Sequence, residues 1–281
     1  MTCSLILGFF DGVHSAHKAV INSAINFNNL KTILITFKSS PSEYFTGKVE
    51  YIMPRVESIS RIKSLGVDEV VELDFSEIAN MPAEEYIKYI CKTYNPASIS
   101  TGFNHTFGLN KKGTPELLAK YQDVYGYKYI CIEPQKIDGE VVSSTVIKKY
   151  LRCGNIENAN RLLGTNFSIE GCVKKGAQIG RTIGFPTANI DYPNNIVKIP
   201  FGVYKVICDG KDAILNWGMR PTVHNIIEPV AEIHILEFNE DLYGKNIKID
   251  IIKKIRDEKK FSDLAELKIQ IEKDIKTCLE L

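Results

Sequence analysis

Residues 176 to 189, Gly-Ala-Gln-Ile-Gly-Arg-Thr-Ile-Gly-Phe-Pro-Thr-Ala-Asn, bring three glycines and one arginine directly into Pro186-Thr187-Ala188-Asn189. Glycine lets a backbone approach a polyphosphate without Cβ obstruction, and a guanidinium complements phosphate oxygens. A hydroxyl beside an amide can hold a hydrated Mg2+ near them. The stretch therefore reads as a phosphate and metal site. Its spacing is neither the Gly-x-Gly-x-x-Gly of a dinucleotide fold nor a Walker loop, since no Gly-Lys-Ser/Thr follows. Taken as spacing alone it is also compatible with glycine turns between short strands. A second chemical candidate is Gly8-Phe9-Phe10-Asp11-Gly12-Val13-His14-Ser15-Ala16-His17, with two imidazoles three residues apart. Two are too few for a metal, and His105 is the only other histidine in this half. Either they are satisfied turn residues, or they join a helix N-terminus around a triphosphate and stabilise charge as its α-phosphate is attacked.

These residues need elements to position them. Ser4 to Phe9, Lys31 to Phe37, Glu69 to Asp74, Ser98 to Phe103 and Tyr127 to Glu133 read as strands. Between them lie helical patterns at His17 to Phe27, Val56 to Leu65, Pro82 to Tyr94 and Thr114 to Val124. Such alternation predicts a parallel α/β sheet, whose ligands sit at the carboxyl ends of strands, where the Gly8 to Gly12 turn emerges. After Ser143-Ser144-Thr145, a hydroxyl cap for a helix through Arg152, and a short helix from Ile156 to Leu163, the pattern changes. Phe167 to Lys174, Val203 to Cys208, Ala213 to Trp217, Ala231 to Phe238 and Asn246 to Lys254 are short strand-like runs separated by turn residues, as in an antiparallel barrel. A helix from about Ser262 to Leu279 closes the chain, with Leu264, Leu267, Ile271 and Ile275 on one face. The expected domains are 1–154 and 155–281.

Composition narrows the possibilities further. The chain has 281 residues and 44% hydrophobic content, enough for two cores. Its 35 basic and 34 acidic residues leave a net charge of +1, which provides no field to gather nucleic acid or anionic lipid. No signal peptide or membrane-crossing run is visible. Seven scattered cysteines, odd in number and without a C-x-x-C pair, argue against a zinc knot or disulfide framework and for a cytoplasmic protein.

The segment 176–189 resembles the signature of riboflavin kinases, and the whole chain is similar to the bacterial bifunctional riboflavin kinase/FAD synthetase family. Further matching stretches are Phe201-Gly202-Val203-Tyr204, Asn216-Trp217-Gly218-Met219-Arg220-Pro221-Thr222, Ala231 to Phe238, Asp241-Leu242-Tyr243-Gly244-Lys245 and Arg256-Asp257-Glu258-Lys259-Lys260-Phe261. The first half looks like the G-x-F-D-G-x-H-x-G-H motif of nucleotidyltransferases, and Val142 to Lys148 like their I-S-S-T-x-I-R motif. The resemblance implies an N-terminal Rossmann-like nucleotidyltransferase domain, then a six-stranded antiparallel barrel with a C-terminal helix. It implies ATP-dependent phosphorylation of riboflavin to FMN in the barrel and transfer of AMP from a second ATP to FMN, giving FAD and pyrophosphate, in the first domain.

On this footing His14 and His17 contact phosphates, with Gly8, Asp11 and Gly12 in the adjoining turn. Ser143, Ser144, Thr145 and Lys148 hold the β and γ phosphates. In the barrel, Gly176, Gly180 and Arg181 wrap the nucleotide, Thr187 and Asn189 meet Mg2+, and Glu232 is the general base for the attacking hydroxyl; the bland reading of Glu232 is a solvated strand carboxylate. Asn104, Asn216 and Arg256 are expected flavin neighbours, Trp217 either stacks on flavin or packs, and His234 receives no role. Four positions depart from the family pattern: Ala16 replaces a glycine, Lys148 an arginine, Ser40 a histidine and Asn104 an aspartate. These departures leave two alternatives, a riboflavin kinase with an inactive or repurposed first domain, and a flavin-binding module without turnover.

Overall fold

The computed structural model describes residues 2–174, 184–221, 227–238 and 240–281. Two compact units divide the chain between Ser144 and Thr145. In chain order the first contains β1 (Cys3–Leu7), α1 (Ser15–Ile25), β2 (Lys31–Phe37), α2 (Pro41–Thr46), α3 (Arg55–Ser64), β3 (Glu69–Leu73), α4 (Phe75–Ile78), α5 (Ala83–Tyr94), β4 (Pro96–Gly102), α6 (Pro115–Tyr125), β5 (Lys128–Ile132) and a hairpin of β6 (Lys136–Ile137) and β7 (Glu140–Val141). The expected strands and helices are present within a few residues of their predicted ends. Two short helices and the hairpin go beyond the sequence reading. A one-turn helix carries no periodicity, and α2 is set instead by its Ser40 cap and by Pro41 at its start.

The five strands pair in parallel in the order β3-β2-β1-β4-β5. Alternation along them divides the core into two layers. Cys3, Leu5, Leu7, Ile33, Ile35 and Ile99 face Tyr86, Ile87 and Ile90 of α5 and Leu118 of α6. Ile6 and Leu34 face Val20, Ile21 and Ala24 of α1 and Ile62 of α3. Covered on both sides, β1 is buried along its whole length and apolar at every position but Ser4, as parallel strands need. The chain reverses direction across the sheet beside β1, so its carboxyl end is the crevice where such sheets bind ligands.

The second unit continues with α7 (Ser144–Arg152), whose first residue lies on the other side of the division, and α8 (Ile156–Leu163). It then holds β8 (Phe167–Lys174), β9 (Ala188–Asp191), β10 (Gly202–Cys208), β11 (Lys211–Pro221), β12 (Ile227–Ile235), β13 (Asn246–Asp257) and α9 (Leu264–Glu280). The six strands close into an antiparallel barrel ordered β10-β11-β12-β9-β8-β13. Ala213, Leu215, Trp217, Ala231, Ile233, Ile249 and Ile251 are buried and fill it. On its outside α9 packs Ile275 and Cys278 against Val203, Ile214, Leu236 and Ile255. Two expectations need correction. Leu264, placed on the buried face of the last helix, is 55% exposed, because α9 begins there, just after its Asp263 cap. β12 stops at Ile235 instead of running to Phe238, because Glu237 takes a left-handed φ of 53° and turns the chain.

Candidate active sites

The first site is built on the turn after β1. Phe10 (φ 61°) and Val13 (φ 42°) both sit in the left-handed region, and Gly12 (φ 87°) would bring a Cβ to 2.9 Å from Ile52. Such a turn persists only where its surroundings over-determine it. The Asp11 carboxylate, 6% exposed, accepts the Ile52 N–H at 2.8 Å, and the Asp11 carbonyl accepts the Ser144 hydroxyl at 2.9 Å. Arg55 donates to the Phe9 carbonyl at 3.0 Å and to Thr36 at 3.3 Å, pairs with Glu72, and lies 4.6 Å over the Phe9 ring. Asp11 thus pins the turn by its side chain, and Arg55, which sequence reasoning missed, clamps it from α3. A single arginine at a helix start gives no pattern to find.

His14 caps α1: its Nδ1 accepts the His17 N–H at 3.3 Å, which places the proton of the neutral ring on Nε2. The two rings stack at 3.6 Å with 15° between their planes. Burial, with Lys18 adding to it, lowers His14 to about 4; burial and then His14 hold His17 well below the usual histidine range. At neutral pH the site therefore presents two uncharged, stacked imidazoles. His17 Nδ1 is buried and has no hydrogen-bond partner among the described residues. Gly8 follows β1, Ser143 precedes α7, and Ser144 is its first residue, so the Ser144 to Asp11 bond joins two of the expected phosphate elements. Thr145 and Lys148 follow within α7. Asn104 is exposed just beyond the carboxyl end of β4, the neighbour of β1.

The second site lies on the outer face of the barrel and is made by strand register. Glu232 of β12 stands directly opposite Asn189 of β9 on one side and Asn216 of β11 on the other. Direct antiparallel partners share a face with Cβ atoms about 5 Å apart, so the three side chains form one row. Thr187, expected beside Asn189, lies just before β9 and lines a cavity of about 450 Å³ with Pro186, Ala188, Ile233 and Tyr243; neither Asn189 nor Glu232 lines that cavity. The row continues through Val203 of β10 to Arg256 of β13. The Arg256 guanidinium is already engaged: it donates to both oxygens of Asp274, 4% exposed on α9, and to the Asp257 carbonyl. Trp217, for which stacking on flavin and packing were both open, packs: it is 2% exposed, with Tyr192 at 4.6 Å. Gly176, Gly180, Arg181 and Thr222 lie outside the described residues.

Comparison with known proteins agrees with this division. Residues 1–146 match the family model of FAD synthetase and residues 163–281 that of riboflavin kinase. The chain is 34% identical to the Bacillus subtilis bifunctional riboflavin kinase/FMN adenylyltransferase, over 96% of its own length and 89% of the relative. The chain belongs to this family. The Escherichia coli bifunctional riboflavin kinase/FMN adenylyltransferase is also 34% identical, over 99% and 92% of the two chains. A crystal structure from Streptococcus pneumoniae, described as a macrolide-efflux protein, has the same fold at a TM-score of 0.91 and 30% identity, covering 100% of this chain and 95% of that one. Among the described residues no helix is long and apolar enough to cross a membrane. Membership accounts for the pairing of an α/β unit with a closed barrel, each carrying its own nucleotide chemistry.

Proposed function

We propose that the chain is a cytoplasmic enzyme that makes FMN from riboflavin and ATP in the barrel and FAD from FMN and a second ATP in the α/β unit. The observation that supports it best is the Asn189-Glu232-Asn216 row on three adjacent strands. In the kinase step Glu232 accepts the proton of the ribityl 5′-hydroxyl as its oxygen bonds to the γ-phosphorus and the bridging bond to ADP breaks. Asn189, opposite the Glu232 carboxylate, offers an amide oxygen, and Thr187, two residues before it, a hydroxyl, the hard donor set that suits Mg2+. Bound there, Mg2+ would neutralise phosphate charge during transfer. Asn216, on the other flank of Glu232, orients the flavin end.

In the adenylylation step a phosphate oxygen of FMN attacks the α-phosphorus and pyrophosphate leaves. That reaction needs alignment and charge stabilisation more than proton transfer. His14 and His17 supply neutral N–H donors, Gly8 and Gly12 let the backbone approach, and Ser143, Ser144, Thr145 and Lys148 hold the departing phosphates at the start of α7. Asn104 contacts the flavin. Chromatography of the products from riboflavin, ATP and Mg2+ tests both halves. Both FMN and FAD are expected; FMN alone would reduce the protein to a riboflavin kinase, and neither product would leave a flavin-binding module.

A further inference from the structure

β9 pairs with β12 through Ala231 with Ile190, Glu232 with Asn189 and Ile233 with Ala188, and there the ladder ends. One step further, His234 would meet Thr187 and the chain would run on to Pro186. Proline has no N–H to give a ladder, so the backbone pairing cannot continue past it. A side chain takes over: Nδ1 of His234 lies 2.8 Å from the Pro186 carbonyl oxygen, and Phe185 meets the imidazole edge-on at 5.7 Å between centroids and 86° between planes. A carbonyl only accepts, so Nδ1 carries the proton. The Pro186 carbonyl belongs to the rigid peptide unit that leads into Thr187. Its plane is therefore held from the strand that bears Glu232, two residues before His234 and on the same face.

We infer that His234 is a positioning residue for the kinase reaction: its Nδ1–H fixes the Pro186-Thr187 peptide, and with it the Thr187 hydroxyl, relative to Glu232. The inference rests on the reading of Thr187 and Asn189 as metal-facing residues. The test measures binding of MgADP to the full-length protein by calorimetry, alongside KM for MgATP, KM for riboflavin and kcat of FMN formation. His234→Phe keeps a ring against Phe185 but loses the donor, and His234→Asn restores a short donor. Outer hydrogen bonds to metal-site groups are worth roughly 10- to 100-fold in affinity or activity. His234→Phe is accordingly expected to weaken MgADP binding and raise KM for MgATP about tenfold while the riboflavin KM and FAD formation stay unchanged, and His234→Asn to recover part of the loss. Wild-type MgADP affinity in His234→Phe would overturn the inference. So would equal losses in both variants with a matching fall in melting temperature, which would mark a packing role. Thr187→Val separates the two levels: if it loses MgADP affinity while His234→Phe does not, only this inference fails, whereas if it binds MgADP as wild type does, the metal-site reading fails.

Discussion

The two sites of this chain are assembled in opposite ways. In the α/β unit the Gly8 to His17 turn is strained and locked by side chains from several elements: Asp11 to Ile52, Arg55 to Phe9, Ser144 to Asp11, and one imidazole stacked on the other. In the barrel Asn189, Glu232 and Asn216 owe their proximity to backbone register, with the His234 to Pro186 bond two residues along β12 from Glu232. A locked turn offers preformed dipoles to a charge that develops on phosphorus. A register row leaves its polar side chains open to solvent, Asn189 and Glu232 half-buried and Asn216 exposed, and available to a ligand. One site spends folding energy to be ready, and the other borrows its order from a sheet that would exist without it.

The largest expected effect tests whether the barrel site is more than a row of surface residues. Glu232→Gln preserves shape and register but removes the proton acceptor, so FMN formation should fall by about 100-fold or more, while FAD formation from supplied FMN is untouched. A loss under about tenfold in steady-state kinetics would return Glu232 to the role of a solvated strand carboxylate. Next is acid stability, in which the units should differ. His14 and His105 are both lowered to about 4 by burial, and His17 is held well below the usual histidine range, so the unfolded state binds protons that the folded α/β unit refuses. The stability that results is complete above about pH 6.5 and is lost as pH falls toward 4, with His14 alone accounting for roughly 3 kcal/mol. In the barrel the lowered groups are carboxylates, Asp257 through Lys254 and Glu266, to about 2, through Lys259 and Ser262, so their contribution is complete above the ordinary carboxylate range and is lost as pH falls through that range and below it. Calorimetry of the whole chain between pH 7 and 4 should show one transition falling first, and His105→Phe should flatten that fall. Two transitions that decline together would sink the contrast.

The same contrast explains what could be read without coordinates. β1 was legible because a strand covered on both faces is nearly all apolar, Ser4 being its one polar residue, and α1 because strand and helix alternate around it. The barrel was legible as a change of rhythm after Leu163, yet the position of Glu232 opposite Asn189 was not, since register between strands more than forty residues apart leaves no trace in either strand alone. His234 had no visible task for that reason. Arg55 was equally silent, because what it clamps lies on other elements. Asp274 did leave a signal: it is a carboxylate on the apolar stripe of Ile271, Ile275 and Cys278, and a charge in such a place requires a partner.

That partner, Arg256, gives the third test. Asp274→Ala would strand a guanidinium that is 22% exposed, a milder loss than for a fully enclosed pair, so about 2–3 kcal/mol is expected in urea unfolding of the barrel transition. If Arg256 also reaches flavin, the riboflavin KM should rise with it. An unchanged KM beside a destabilised barrel would confine Arg256 to fastening α9.

The smallest effect concerns the α/β unit's departures from its family. Ser40 stands where a histidine is usual, and its hydroxyl accepts the Ser42 N–H at 3.3 Å to cap α2, while its own N–H donates to the Tyr51 hydroxyl at 3.0 Å. Tyr51 in turn donates to Glu43, and its ring lies 5.9 Å from Phe9 at the strained turn. Ser40→Ala removes only the cap, so about 1 kcal/mol should be lost from that unit with FAD formation nearly unchanged. Ser40→His would restore the family residue at the expense of the cap. Should it raise the rate of FAD formation despite lower stability, the serine is a structural substitute for a catalytic imidazole. Should it lower both, the turn has been rebuilt around the cap, and the locked site tolerates the departure because its order comes from Asp11, Arg55 and the stacked imidazoles.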